Sequence, residues 1–103
     1  INIFFPDPWP KKKHHKRRLI DLLFLNKIHG YMKNNSKIFI ATDSRSYYSH
    51  ILNTIYLCRD KFFWENQYSN FFKYEDYQFP KTKFYKKAII SGRKPIFLVL
   101  KKI

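Results

Sequence analysis

Three prolines in five residues, Pro6, Pro8 and Pro10, close the apolar run from Ile1 to Phe5. Proline fixes its own backbone and lacks an N–H, so neither a helix nor a sheet ladder can continue through this run. Each proline also pushes the residue before it, here Phe5, Asp7 and Trp9, toward extended geometry. A stiff turn is therefore required, and it presents one carboxylate, Asp7, and one indole, Trp9. The apolar run ahead of it reads as a short strand buried on both faces, as in parallel sheets. A dense cationic block, Lys11-Lys12-Lys13-His14-His15-Lys16-Arg17-Arg18, follows at once. A carboxylate beside an aromatic plate, next to a phosphate-attracting surface, suits chemistry on a nucleic-acid base.

The charge balance points the same way. Lys and Arg number 21 against 7 acids in 103 residues, giving a net charge of +14. Such an excess opposes compaction and calls for a polyanionic partner, with nucleic acid ahead of an anionic membrane surface. An AT-rich coding bias would also raise Lys and Tyr, but it accounts less well for Arg17-Arg18 and for the clustering. No apolar run reaches the roughly 18 residues of a membrane span, and the first residues do not have the pattern of a signal peptide. The single cysteine, Cys58, excludes an internal disulfide and a multi-cysteine zinc site. A reducing, cytoplasmic setting is expected. His14 and His15 are neighbours that do not face one point, and His29 and His50 are isolated, so no metal site is expected.

Periodicity then places the elements. From Lys12 to about Met32 the pattern is helical, with Leu19, Leu22 and Leu23 on one face and Ile20, Phe24 and Ile28 beside it. Gly30 and Asn34-Asn35 supply stop signals. Lys37 to Thr42 reads as a second buried strand. Asp43 or Ser44 can cap a helix running from Ser46 to about Cys58, with Tyr48, Ile51, Leu52 and Ile55 inward. Phe62-Phe63-Trp64 reads as a third strand and Tyr68 to Lys81 as an aromatic, charged loop. Pro95 opens a last strand through Leu100, where its missing N–H costs least. Strand, helix, strand, helix and then strands make half of an open α/β sheet. In such sheets ligands bind beyond the carboxyl ends of the strands. Asp7 and Asp43 both lie just past a strand end, so two carboxylates are expected to face one crevice. For Asp43 a plain capping role is the alternative.

The motif Phe5-Pro6-Asp7-Pro8-Trp9-Pro10-Lys11-Lys12, continued by His14-His15-Lys16-Arg17-Arg18, resembles the signature of the bacterial tRNA (guanine-N(7)-)-methyltransferases. Ala41-Thr42-Asp43 resembles that family's second motif and Thr82-Lys83-Phe84 its third, in the same order and spacing. The resemblance covers the whole chain and implies the C-terminal half of a Rossmann-like class I methyltransferase sheet, dependent on S-adenosylmethionine. Residues 1–103 would then be half of a single domain, with the cofactor-binding N-terminal half absent. By that resemblance Asp7 is the catalytic acid and borders the cofactor. Lys11, Asp43, Thr82, Lys83, Phe84 and Tyr85 would line the substrate site. Tyr85 stands where the family usually has glutamate, Arg93 where histidine usually follows the glycine, and the last strand lacks the usual tryptophan.

The implied chemistry is physically coherent. Guanine N7 carries a free lone pair and no proton, so its attack on a sulfonium methyl needs no base and is won largely by positioning. The purine gains positive charge as the bond forms, and a fixed carboxylate stabilises that charge. Asp7 can also accept from the amide and amino edge of guanine. Trp9 either stacks on an extruded base or packs on the sheet. The cations of Lys12, Lys13, Lys16, Arg17 and Arg18 at a helix start oppose the helix dipole, which suggests contacts with RNA phosphates. Lys81, Lys83, Lys86, Lys87 and Arg93 form a second basic cluster for another part of the tRNA.

Class I methyltransferases carry a Gly-rich loop after their first strand. Gly30 and Gly92 are the only glycines of this sequence, and neither belongs to such a loop. The chain also begins with Ile inside an apolar strand, which predicts a preceding segment. Alone, it is expected to leave an open sheet edge and an apolar face. Three readings follow: a half-enzyme active when completed, an inactive remnant that keeps only basic RNA binding, or a basic membrane-surface module.

Overall fold

A computed structural model describes residues 1–65 and 83–103, with the side chains of 83–85 excepted. The elements are β1 (Asn2–Phe4), a 3₁₀ helix (Lys12–Arg17), α1 (Leu22–Tyr31), β2 (Lys37–Thr42), α2 (Arg45–Leu57), β3 (Phe62–Trp64), α3 (Lys83–Ile90) and β4 (Ile96–Lys102). The expected loop from Tyr68 to Lys81 lies outside the described residues.

The strands form one mixed sheet in the order β1-β2-β4-β3. β1 runs parallel to β2, with Phe4 opposite Ala41. β4 lies antiparallel between β2 and β3. Side chains alternate between the faces of a strand. Ile38 and Ile40 of β2 and Leu98 and Leu100 of β4 share one core with Leu25, Tyr47, Ile51, Ile55 and Phe62. The sheet thus packs one face against α1 and α2. This is the expected half of an open α/β sheet. Among the described residues β1 is an edge strand, and of its residues only Ile3 is buried. Burial on both faces was expected there, but only the face carrying Ile3 is buried, with Asn2 exposed and Phe4 half-buried.

The expected helix from Lys12 to Met32 is interrupted. The six-residue 3₁₀ helix ends at Arg18, which is extended, with φ −63° and ψ 129°. α1 starts afresh after Asp21, whose side chain accepts from the N–H of Phe24 at 2.8 Å. An aspartate at that cap is worth about 1 kcal/mol. The cations therefore do not oppose the dipole of α1. Resetting the helix also changes its buried face. Ile20 and Leu25 are buried, while Leu19, Leu22 and Leu23 are 49%, 37% and 77% exposed.

α2 begins close to where expected, capped by Ser44, which accepts from the N–H of Tyr47. Tyr47 rather than Tyr48 is the fully buried tyrosine. Its hydroxyl accepts from the N–H of Ile20 at 2.9 Å, and His50 Nε2 sits 2.8 Å from the carbonyl of Ile20. The link between the 3₁₀ helix and α1 is thereby fastened to α2. Cys58 is buried, and burial pushes its thiol pKa up. That keeps it an inert packed residue.

Candidate active site

Parallel pairing puts the carboxyl ends of β1 and β2 on the same side. The N–H of Phe5 donates to the carbonyl of Ala41 at 2.7 Å, carrying the pairing one residue past β1. The turn then departs from the extended geometry expected before proline. Phe5 and Trp9 hold φ of 54° and 42°, left-handed values that cost of order ~1–3 kcal/mol each for such side chains. The contacts on either side explain this. The peptide of Phe5 stays on Ala41 while Pro6 turns the chain away. The N–H of Trp9 is held by Asp7 Oδ1 at 3.1 Å, the local closure an aspartate offers a turn.

Arg18 clamps the same turn. Its Nε donates to the carbonyl of Pro8 at 2.7 Å and its Nη2 to Ser46 Oγ at 3.0 Å. The guanidinium lies 5.2 Å from the ring centroid of Tyr47, and the residue is only 4% exposed. Arg18 was expected among the phosphate-binding cations. It is instead buried in the protein, because the break before α1 turns it inward toward the Pro8 carbonyl. Arginine suits the position, since its planar fork reaches two acceptors and stacks on an aromatic face at once.

Asp7 and Asp43 meet as expected. Both line an open cleft of about 600 Å³, together with Phe5, Pro6, Pro8, Ser44, Lys87 and Arg93. The lining combines an apolar, conformationally stiff turn with two carboxylates and two cations, Lys87 and Arg93. Asp43 is more than a cap: Ser44 caps α2, and Asp43 Oδ2 accepts from Arg93 Nε at 2.5 Å. Arg93 in turn is set by the end of α3. Gly92 has φ 76° and its N–H reaches the carbonyl of Ile89, while the N–H of Arg93 reaches that of Ala88, each at 3.0 Å. This is the glycine-ended helix stop that ties off the last carbonyls. The sequence reading gave Lys87 and Arg93 to a basic cluster but did not bring them to this cleft. The helix α3 that presents them was not expected either, and Arg93 was singled out only for standing where histidine usually follows the glycine.

Other site residues lie elsewhere. Lys11 is exposed, just ahead of the 3₁₀ helix, and is not part of the cleft's lining. Thr82 lies outside the described residues. Lys83, Phe84 and Tyr85 open α3, and their side chains are not described. The indole of Trp9 packs on the 3₁₀ helix. The Arg17 guanidinium lies 5.0 Å from its centroid, and the His14 ring meets it edge-on at 5.6 Å. Lys12, Lys13, Lys16 and Arg17 are exposed. None of the four has a carboxylate partner among the described residues, whose only ion pairs are Lys37–Glu65 and Arg93–Asp43. Among the described residues no helix is long and apolar enough to cross a membrane.

An acid-lined cleft beyond the parallel strand ends of an α/β sheet is the usual frame of a ligand-binding site in such sheets. The sequence profile of a family described as "Putative methyltransferase" matches residues 1–98, and the chain belongs to that family. Its curated relatives include a protein of Buchnera aphidicola subsp. Schizaphis graminum named tRNA (guanine-N(7)-)-methyltransferase. The two are 42% identical over 101 residues, which is 98% of this chain and 41% of that protein. A protein of the same name from Bartonella henselae is 37% identical over 100 residues, covering 95% of this chain and 42% of its own length. The chain thus spans about two-fifths of the length of these relatives.

Proposed function

We propose that this chain is the catalytic and tRNA-facing part of an enzyme that methylates N7 of a guanine in tRNA. It would work joined to the cofactor-binding N-terminal half of the same domain, with residues 1–103 as the C-terminal half. The observation that carries this reading is the meeting of Asp7 and Asp43 in one cleft beside an exposed basic helix. The names of the relatives supply the substrate. A cytoplasmic setting follows from the tRNA substrate.

The methyl donor would be S-adenosylmethionine, which supplies a methyl group on a sulfonium cation. The residues present fit one border of it. Asp7 offers a carboxylate to the cation, and Phe5, Pro6 and Pro8 offer an apolar wall. Gly30 sits in α1 and Gly92 ends α3, so neither supplies the glycine-rich cradle, and most of the pocket belongs to the other half.

The work of this chain is then positioning and charge. The turn is held by Ala41, by its own Asp7–Trp9 bond and by Arg18, so the Asp7 carboxylate is fixed before substrate arrives. A fixed charge that needs no reorganisation is most effective where positive charge develops on the purine. Asp43 is presented to the guanine edge at the same cleft. Lys11, Thr82, Lys83, Phe84 and Tyr85 would complete the substrate site. Lys12, Lys13, Lys16 and Arg17 would meet the tRNA backbone, whose contacts orient the substrate without reading its sequence.

Joined to the part of the Buchnera relative that it does not match, the chain is expected to form N7-methylguanosine in tRNA, read by mass spectrometry of the digested nucleosides. Asp7→Ala is expected to lower the rate by roughly 10²–10³-fold. Undiminished methylation by that variant would refute the assignment. The second reading is an inactive remnant that binds RNA, with Tyr85 standing where the family usually has glutamate. Binding of radiolabelled S-adenosylmethionine by the 103-residue chain alone would sink it.

A further inference from the structure

The Asp43–Arg93 pair is a wall shared by two cavities. On one side lies the cleft with Asp7. On the other lies a second open groove of about 800 Å³, lined among others by Arg45, Tyr48, Ser49 and Lys94. The second groove has a different chemistry. Arg45, Arg93 and Lys94 face a single carboxylate, Asp43, and Asp43 already engages Arg93. Among the described residues Arg45 and Lys94 are in no ion pair. Arg93 uses one N–H on Asp43, and a guanidinium carries five. Its backbone is fixed by the glycine-ended stop of α3, so its position does not depend on the ion pair alone. Tyr48 is half-buried, packed against the core, and still lines the groove.

We propose that this second groove holds the RNA backbone next to the target guanine. Arg45, Arg93 and Lys94 contact the phosphodiester, and the ring of Tyr48 is the plate for the neighbouring nucleotide. The inference rests on the reading of RNA as the substrate and extends it to a site on the far side of the Asp43–Arg93 wall. Cations in a groove with an aromatic face are the usual combination for single-stranded nucleic acid, because phosphates take the charges and any base can stack. Sharing a wall with the cleft makes the order of contacts definite. The acids on one side address the base, and the cations on the other address the backbone that carries it. Arg93 joins the two by holding Asp43 with one donor and offering the rest to phosphate.

The test uses the chain joined to the unmatched part of the Buchnera relative and fluorescently labelled unmodified tRNA, with anisotropy followed between about 50 and 200 mM salt. Arg45→Gln/Lys94→Gln changes two exposed side chains, so circular dichroism should show an unchanged fold. Its plot of log affinity against log salt should flatten by roughly 1 to 2, at about 0.7 per lost contact with a single strand. Tyr48→Leu leaves an apolar side chain against the core, with circular dichroism as the check on folding, and should weaken binding several-fold with the slope unchanged. A charge-matched control, Lys27→Gln/Lys33→Gln, sits toward the opposite end of β2 and should leave the slope nearly as it was. If the groove variant changes the slope no more than this control while the parent chain binds tRNA, the groove proposal is wrong and the RNA reading stands. If the parent chain shows no salt-dependent binding to tRNA, both fail.

Discussion

Arg17 and Arg18 are sequence neighbours in two regions of opposite construction. Arg18 belongs to the turn Phe5–Pro10. There it is 4% exposed, bonded to Pro8 and Ser46 and stacked on Tyr47. Arg17 belongs to the 3₁₀ helix, exposed, with the ring of Trp9 as its described contact. The turn contains two left-handed residues and is held from three sides. The helix carries cations without carboxylate partners among the described residues. Chemistry on a purine needs the first kind of region, since a carboxylate must be in place before charge develops. Holding a polyanion needs the second, since phosphates are matched by many mobile charges rather than by one fixed geometry.

The largest effect that would break this contrast is loss of the clamp. Arg18→Ala leaves the Pro8 carbonyl and Ser46 without their partner, and it is expected to destabilise the chain by about 3 kcal/mol, at the level of hydrogen bonds to charged groups. Arg17→Ala should stay within about 0.5 kcal/mol, as exposed substitutions usually do. Urea midpoints of the two variants check this, and equal shifts would erase the distinction. Next comes the charge surface. Lys12→Gln/Lys13→Gln/Lys16→Gln should weaken tRNA binding and lower the salt slope by roughly 1 per lysine, with stability unchanged, as read by anisotropy and urea titration.

The smallest effect sharpens how the turn is anchored. Burial pushes the Tyr47 phenol above its ordinary pKa, although its bond from Ile20 and the Arg18 guanidinium pull it down. The folded chain therefore holds this proton more tightly than the unfolded chain. Its contribution is complete below about pH 10 and is lost as pH rises through the raised folded value. Tyr47→Phe should cost about 1 kcal/mol at neutral pH, where the Ile20 N–H loses its acceptor. It should also remove that part of the alkaline loss of stability seen in the parent.

The legible parts of the sequence were those set by one strong local constraint. The proline run marked the turn, and the apolar runs marked the four strands among the described residues. The strand-end rule brought Asp7 and Asp43 together. The break between the 3₁₀ helix and α1 was hidden because leucines at helical spacing run through it. The cap at Asp21 and the pull of Tyr47 and His50 on Ile20 are respectively a single residue and a long-range contact. The fate of Arg18 was unreadable for the same reason. In sequence it is one more cation of a block, and only the folded position of Pro8, Ser46 and Tyr47 distinguishes it. Arg93 was missed at the cleft because its partner Asp43 is fifty residues away.

The most direct test compares the two regions in one assay, with the chain joined to the unmatched part of the Buchnera relative. Asp7→Asn should lower kcat for tRNA methylation by roughly 10²–10³-fold and leave KM nearly unchanged. Lys12→Gln/Lys13→Gln/Lys16→Gln should raise KM and leave kcat nearly unchanged, the signature of lost uniform binding. An Asp7→Asn enzyme of normal kcat, or a lysine variant that loses kcat at unchanged KM, would contradict the division between a fixed catalytic turn and an exposed binding surface.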